Sequence, residues 1–215
     1  MSDETYETFI QRCEVFLPHA DCVLLSIVYK LAKFSHRHDV RKDERDANGD
    51  PLRYFEHLRR VALILMDVGI VDRTTLAVAL LHDSVEDTRL HAEEIALVCG
   101  DEVSRRVLLA SKTPKEGFRE RLTRFGDWKV LCVKLADRID NLRSMRNSTL
   151  EFQEKQCKET MEMYLTLADI AVQRAPDEYK EKVRELASLL GVVLNSAQGN
   201  VSAGRRRRNM MEQGQ

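Results

Sequence analysis

No apolar run in this chain is long enough to cross a membrane. The longest, such as LAVALL at 76–81, fall far short of the roughly 20 residues that a spanning helix needs. Cysteine is sparse and unpaired in pattern: there are five, at 13, 22, 99, 132 and 157, with no CxxC among them. An odd number scattered through apolar contexts argues against a disulfide framework or a zinc knuckle, and for free thiols in a reducing compartment. Charge of one sign is missing too, since 34 basic and 35 acidic residues leave a net charge of −1. Such balance creates no long-range field to draw the protein onto nucleic acid or a membrane surface, so any anion must be held by a local cluster. No Gly-rich phosphate loop of the GxxxxGK type and no fixed-period repeat is present. The start, MSDETYETF, has neither a basic nor an apolar stretch, so no secretory signal is expected and the protein reads as cytoplasmic.

What the chain does have is helical periodicity almost throughout its 215 residues. Hydrophobic residues make up 43% and charged residues 32%, enough apolar material for one sizeable core. The four prolines (18, 51, 114 and 176) fall at the edges of periodic segments, and Gly69, Gly100 and Gly126 follow expected helix ends. Helices are predicted at about 4–17, 20–37, 51–68, 72–87, 91–99, 101–112, 116–125, 127–146, 149–174 and 176–195. Asp50 (before Pro51), Asp72 and Asp127 stand where N-caps are wanted. The polar stretch HDVRKDERDANGD at 38–50 reads as a loop. From 196 onward no apolar period continues, so a disordered basic tail (196–215) is expected after a single domain (1–195). The fold class is all-α: one bundle of about ten helices.

Three helices break their apolar pattern in a related way. The stripe holding Val61 and Ile64 also carries His57; LAVALL ends abruptly in His82-Asp83, then Glu86-Asp87; and Val130, Val133, Asp137, Asn141 and Ser144 share one face that turns polar midway. Polar groups on a core-facing stripe cost free energy unless something pairs them. A divalent ion would resolve all three breaks, because two imidazoles (His57, His82) and two carboxylates (Asp83, Asp137) make a mixed nitrogen/oxygen donor set. Glu86 and Asp87 follow one turn later, where a carboxylate can take a proton from an activated water. That combination suits hydrolysis of a phosphate or pyrophosphate ester. Taken singly, a core histidine or an acidic helix end needs no ligand; it is the set H…HD…D on three helices that points to a metal. In the loop before His57, Arg41-Lys42, with His36 and His38 nearby, form a cationic patch suited to a base and phosphates, or simply a solvated charged loop.

The segments AKFSHRHDVRK, EHLRRVA, TLAVALLHDSVEDT, KLADRIDNLRSM and KETMEMYLTLAD occur in the order found in the hydrolase domain of RelA/SpoT-type alarmone enzymes, and residues 28–170 resemble that family. The resemblance implies an all-helical HD domain holding one Mn²⁺ through His57, His82, Asp83 and Asp137. It implies removal of pyrophosphate from the 3′ position of guanosine tetra- or pentaphosphate, with Glu86 and Asp87 activating water. Arg41 and Lys42 would hold base and phosphates, and Asn141, Ser144 and Tyr164 would line the nucleotide pocket. The chain has no room for synthetase and regulatory domains, so it resembles the stand-alone small alarmone hydrolases, some of which also take adenosine alarmones (ppApp-type). It departs from the pattern in two places that matter below. Extra residues, ERDAN at 44–48, follow Arg41-Lys42, and Asp140 stands where a histidine is frequent.

Three readings stay open on these residues. The first is an alarmone 3′-pyrophosphohydrolase. The second is an HD phosphohydrolase of another nucleotide (a dNTP, a nucleoside monophosphate or NADPH), and the third a non-catalytic alarmone-binding protein. The partner in each is a small nucleotide, with no membrane or nucleic acid expected; oligomeric state is not readable from the sequence.

Overall fold

The computed structural model describes residues 5–213 and arranges them as helices around two central ones. In chain order these are α1 (Tyr6–Glu14), α2 (His19–Ser35), a two-stranded ribbon β1 (Val40–Arg45) and β2 (Pro51–Arg53), α3 (Phe55–Asp67), α4 (Arg73–Leu81), α5 (Ser84–Asp87), α6 (Ala92–Cys99), α7 (Asp101–Ala110), α8 (Phe118–Phe125), α9 (Trp128–Ser144), α10 (Leu150–Glu159), α11 (Leu165–Arg174) and α12 (Asp177–Gln213). A 3₁₀ turn (Met145–Asn147) and a π-helical turn (Thr160–Tyr164) join α9 to α10 and α10 to α11.

The most apolar helix lies at the centre. Every residue of α4 from Thr74 to Leu81 is buried, which is what a helix apolar all round requires. It packs on α2, α3, α7 and α9. Each wholly buried leucine there contributes roughly 1.5–3 kcal/mol. The second central helix, α9, touches α3, α4, α7, α11 and α12 and is buried from Val130 through Asp140. Asp72 and Asp127 cap these two helices as expected, each accepting a backbone N–H three residues on, at 3.1 Å. Gly69 and Gly100 take positive φ after helix ends. Gly126 does not; a Cβ there would lie 2.6 Å from the Leu122 carbonyl oxygen, so close approach is what demands glycine.

Five expectations need correction. The predicted loop at 38–50 contains β1, which pairs antiparallel with β2 (Val40 opposite Arg53, Arg45 opposite Pro51). Asp50 therefore does not cap a helix, and α3 begins only at Phe55. The turn is held by Asp46, whose Oδ1 accepts from the Asn48 and Asp50 amides. The helix predicted at 72–87 divides at His82-Asp83 into α4 and α5, and that at 149–174 is interrupted by the π turn. Finally, the segment read from 196 as a disordered tail is helical as far as Gln213. Leu186, Leu190, Leu194, Ala197 and Val201 continue one buried row. Arg205 and Arg208 then pair with Glu154 and Glu151 of α10. Residues 214 and 215 lie outside the described residues. Among the described residues no helix is long and apolar enough to cross a membrane.

Candidate active site

The division of α4 from α5 places two chemical groups side by side at the end of the central helix. His82 is fully buried, and its Nδ1 lies 2.8 Å from the Ala79 carbonyl oxygen. A carbonyl can only accept, so Nδ1 carries a hydrogen and Nε2 is turned toward the carboxylates. That Nε2 is buried without a hydrogen-bond partner, although Asp83 Oδ2 is 3.1 Å away and Asp137 Oδ1 3.9 Å.

His57, from the first turn of α3, enters from the other side. Its Nε2 stands 3.3 Å from Asp137 Oδ1 and 3.7 Å from Asp83 Oδ2. Ligand atoms of His57, His82 and Asp83 all lie within 4.8 Å of one another. The four residues predicted as ligands are thus brought together from α3, the α4–α5 junction and α9. Their polar charge is organised before any ion is added. Asp137 pays for burial, yet the Lys134 ammonium at 2.7 Å, with the two imidazoles, holds its carboxyl well below the usual range. Burial pushes His57 down, but hydrogen bonds to Asp137 and Asp140 outweigh it and raise the imidazole to about 9. A buried donor set with an imidazole nitrogen left without a hydrogen bond fits a divalent cation, which would relieve the unpaired contacts.

The predicted proton-handling pair follows immediately. Glu86 is partly buried, and its Oε2 accepts the backbone N–H of Lys112 at 2.7 Å. Asp87 is exposed, yet its carboxyl is pushed up to about 6 by partial desolvation and by the neighbouring charges of Asp83 and Glu86. Of the predicted substrate residues, three converge. Arg41 on β1 donates through Nη2 to Asn141 Oδ1 and Ser144 Oγ, both at 3.0 Å. Lys42, its neighbour on the strand, is exposed. Tyr164 is wholly buried in the π turn, with the Arg138 guanidinium 4.0 Å from its ring centre, and no hydrogen bond joins it to Arg41, Asn141 or Ser144.

Several functional neighbours escape sequence reasoning. Tyr54 donates to Asp83 Oδ2 at 2.7 Å and stacks on His36, with Arg41 over the same ring. His36 is buried and its pKa is lowered by burial, so it does not join the cationic patch expected around Arg41. Asp140, Arg60 and Glu44 form the remaining contacts of this wall. Asp140 and Glu44 carried a signal in the sequence, as departures from the family pattern; Arg60 carried none.

The HD domain family matches residues 29–113. The "GTP pyrophosphokinase rsh" of Brucella melitensis is 33% identical over 190 residues, covering 83% of this chain and 24% of that protein. The "Probable GTP pyrophosphokinase" of Mycobacterium leprae is 36% identical over 163 residues, 71% of this chain and 20% of the other. The chain therefore spans about a quarter or less of the curated relatives it matches. A solved structure of a metazoan SpoT ortholog, described as hydrolysing ppGpp and acting in starvation responses, superposes with a TM-score of 0.57. It is 26% identical, and the match covers 84% of this chain and 95% of that one.

Proposed function

We propose that this chain, which belongs to the RelA/SpoT-type family of HD domains, is a metal-dependent hydrolase that removes the 3′-pyrophosphate of alarmone nucleotides such as ppGpp, pppGpp or ppApp. The observation that carries this reading is the convergence of His57, His82, Asp83 and Asp137 around a bare, buried imidazole nitrogen, one turn before two acidic side chains. His57, His82, Asp83 and Asp137 would hold one ion, and their hard and borderline donors suit Mn²⁺. When bound, such an ion makes water a usable nucleophile near neutral pH and draws charge from a phosphoryl oxygen.

The protein's own groups supply the rest. Asp87, with its carboxyl tuned near neutrality, accepts the proton of the attacking water. Glu86, anchored by the Lys112 amide, holds that water in line. Water adds to the 3′-phosphorus, the bond from phosphorus to the ribose 3′-oxygen breaks, and the proton passes to that oxygen. The products are pyrophosphate and a nucleotide with a free 3′-hydroxyl. Arg41, braced by Asn141 and Ser144, grips the nucleotide through its planar fork.

The test is pyrophosphate release by the purified protein with Mn²⁺, comparing ppGpp, pppGpp, ppApp and a panel of dNTPs. Release from a 3′-pyrophosphorylated nucleotide is the expected result. Turnover of a dNTP alone would overturn the substrate class and leave a hydrolase of another nucleotide.

A further inference from the structure

Two of the places where the sequence departs from the family pattern, the extra residues at 44–48 and Asp140, meet in space. Asp140 Oδ2 lies 2.7 Å from Nδ1 of His57. Arg60 donates from Nε to Asp140 Oδ1 at 2.6 Å and from Nη2 to Oδ2 at 3.0 Å. The same Nη2 reaches Glu44 Oε2 at 2.8 Å, and Glu44 Oε1 in turn accepts from Arg41 Nε at 2.6 Å.

From Arg41 the contacts run on through Asn141, whose amide donates to Asp137 Oδ1 at 2.6 Å. Asp137 Oδ1 is 3.3 Å from His57 Nε2. Seven side chains thus close a ring: His57, Asp140, Arg60, Glu44, Arg41, Asn141, Asp137. It joins two metal ligands on one side to the nucleotide-facing guanidinium on the other. Charges alternate along its outer arc, and the side chains of Asp140, Glu44 and Arg41 are only 3%, 16% and 17% exposed. At that burial, removal of one member leaves its neighbours uncompensated.

We propose that Asp140, Arg60 and Glu44 are positioning residues that tie the metal ligand His57 to the substrate-gripping Arg41, so that metal binding and nucleotide binding strengthen one another. Asp140 accepts the Nδ1–H of His57, which turns the Nε2 lone pair to the metal and makes the imidazole a better donor. Glu44 divides the charge of Arg60. Without Glu44, Arg60 draws Asp140 to itself, weakening the Asp140–His57 bond, and Arg41 loses its brace. A coupling of this kind acts equally in both directions. The nucleotide half of the proposal rests on the function proposed above; the metal half does not.

The experiment uses the whole chain and Mn²⁺ alone as probe, with affinity read by calorimetry and by the electron paramagnetic resonance of free Mn²⁺. Asp140→Asn should weaken Mn²⁺ binding about 10–100-fold. Glu44→Gln, which touches no ligand, should weaken it about fivefold or more with helical circular dichroism unchanged. Glu44→Asp should restore part of the loss. If Asp140→Asn does not fold, Glu44→Gln decides, since Glu44 sits on the surface ribbon. Wild-type Mn²⁺ affinity in Glu44→Gln overturns the ring. On whichever alarmone the wild type turns over, Glu44→Gln should also raise KM with little change in kcat. If the wild type turns over none, the proposed function fails, and the Mn²⁺ affinities still judge the ring.

Discussion

Nε2 of His82 lies 3.1 Å from Oδ2 of Asp83, buried and without a hydrogen-bond partner. The Ala79 carbonyl accepts the Nδ1–H on the far side of the ring, so Nε2 and the Asp83 carboxylate confront one another in a buried place. A fold keeps such a contact when a cation is meant to lie beside it. Protein stripped with EDTA should therefore gain stability from Mn²⁺. At a concentration near 100 times Kd the gain is about 2.7 kcal/mol, and the melting temperature rises by roughly 5–10 °C for a chain of this size. A thermal melt indifferent to Mn²⁺ would remove the metal centre.

Binding and turnover should separate by residue. Asp83→Ala deletes a ligand and the acceptor for Tyr54, and it should abolish Mn²⁺ binding together with hydrolysis. Glu86→Gln keeps a side chain that can still accept from the Lys112 amide. It should bind Mn²⁺ as the wild type does and lose about 10²-fold or more in kcat. Calorimetry and steady-state kinetics on both variants check the assignment, and near-normal hydrolysis by either sinks the role given to that residue.

How much of this was legible in the sequence depends on the kind of signal each residue leaves. His57, His82, Asp83 and Asp137 were visible because each interrupts an apolar stripe, and burial magnifies the cost of such a break. Asn141 and Ser144 follow Asp137 on the same face, one and two turns on. Tyr54 and Arg60 left no trace, because a half-buried tyrosine or an arginine beside a helix core looks like an ordinary surface residue until its partner is placed. The ribbon of β1 and β2 was hidden for a related reason: neither strand has an apolar face, so backbone pairing holds it without alternation. At the other end, Ala197 and Val201 extend the buried row of α12 with side chains too small, among SAQGNVSAG, to register as a period.

The role of Arg41 turns on its shape. Its Nη2 reaches Asn141 and Ser144 together, while Nε holds Glu44, a division of labour that a single ammonium cannot reproduce. Arg41→Lys keeps the charge and loses the fork. The expected result is a rise in KM for a 3′-pyrophosphorylated nucleotide of about tenfold or more, as befits loss of one charge-assisted contact worth about 1.5–3 kcal/mol, with kcat much less affected. An unchanged KM would take Arg41 out of the binding site.

The pH behaviour of Asp87 tests the tuning on which its proton transfer depends. An unfolded aspartate ionises near 3.9, whereas partial desolvation and the charges of Asp83 and Glu86 hold Asp87 at about 6 in the folded protein. The folded state thus favours the protonated form. Below pH about 4 both states are protonated, and the group leaves stability unchanged relative to a neutral residue. As pH rises above that value the folded state alone resists ionisation, and the penalty is fully developed once pH passes about 6. Asp87→Asn removes it. In EDTA-treated protein the substitution should raise the melting temperature at pH 8 and leave it unchanged at pH 4. The gain should be small, since the carboxyl is open to screening water. Saturating Mn²⁺ should shrink it further, because a cation beside Asp83 offsets the repulsion that raised Asp87. Equal gains at the two pH values would mean that the effect is not one of charge, and Asp87 would lose its claim to be the proton acceptor.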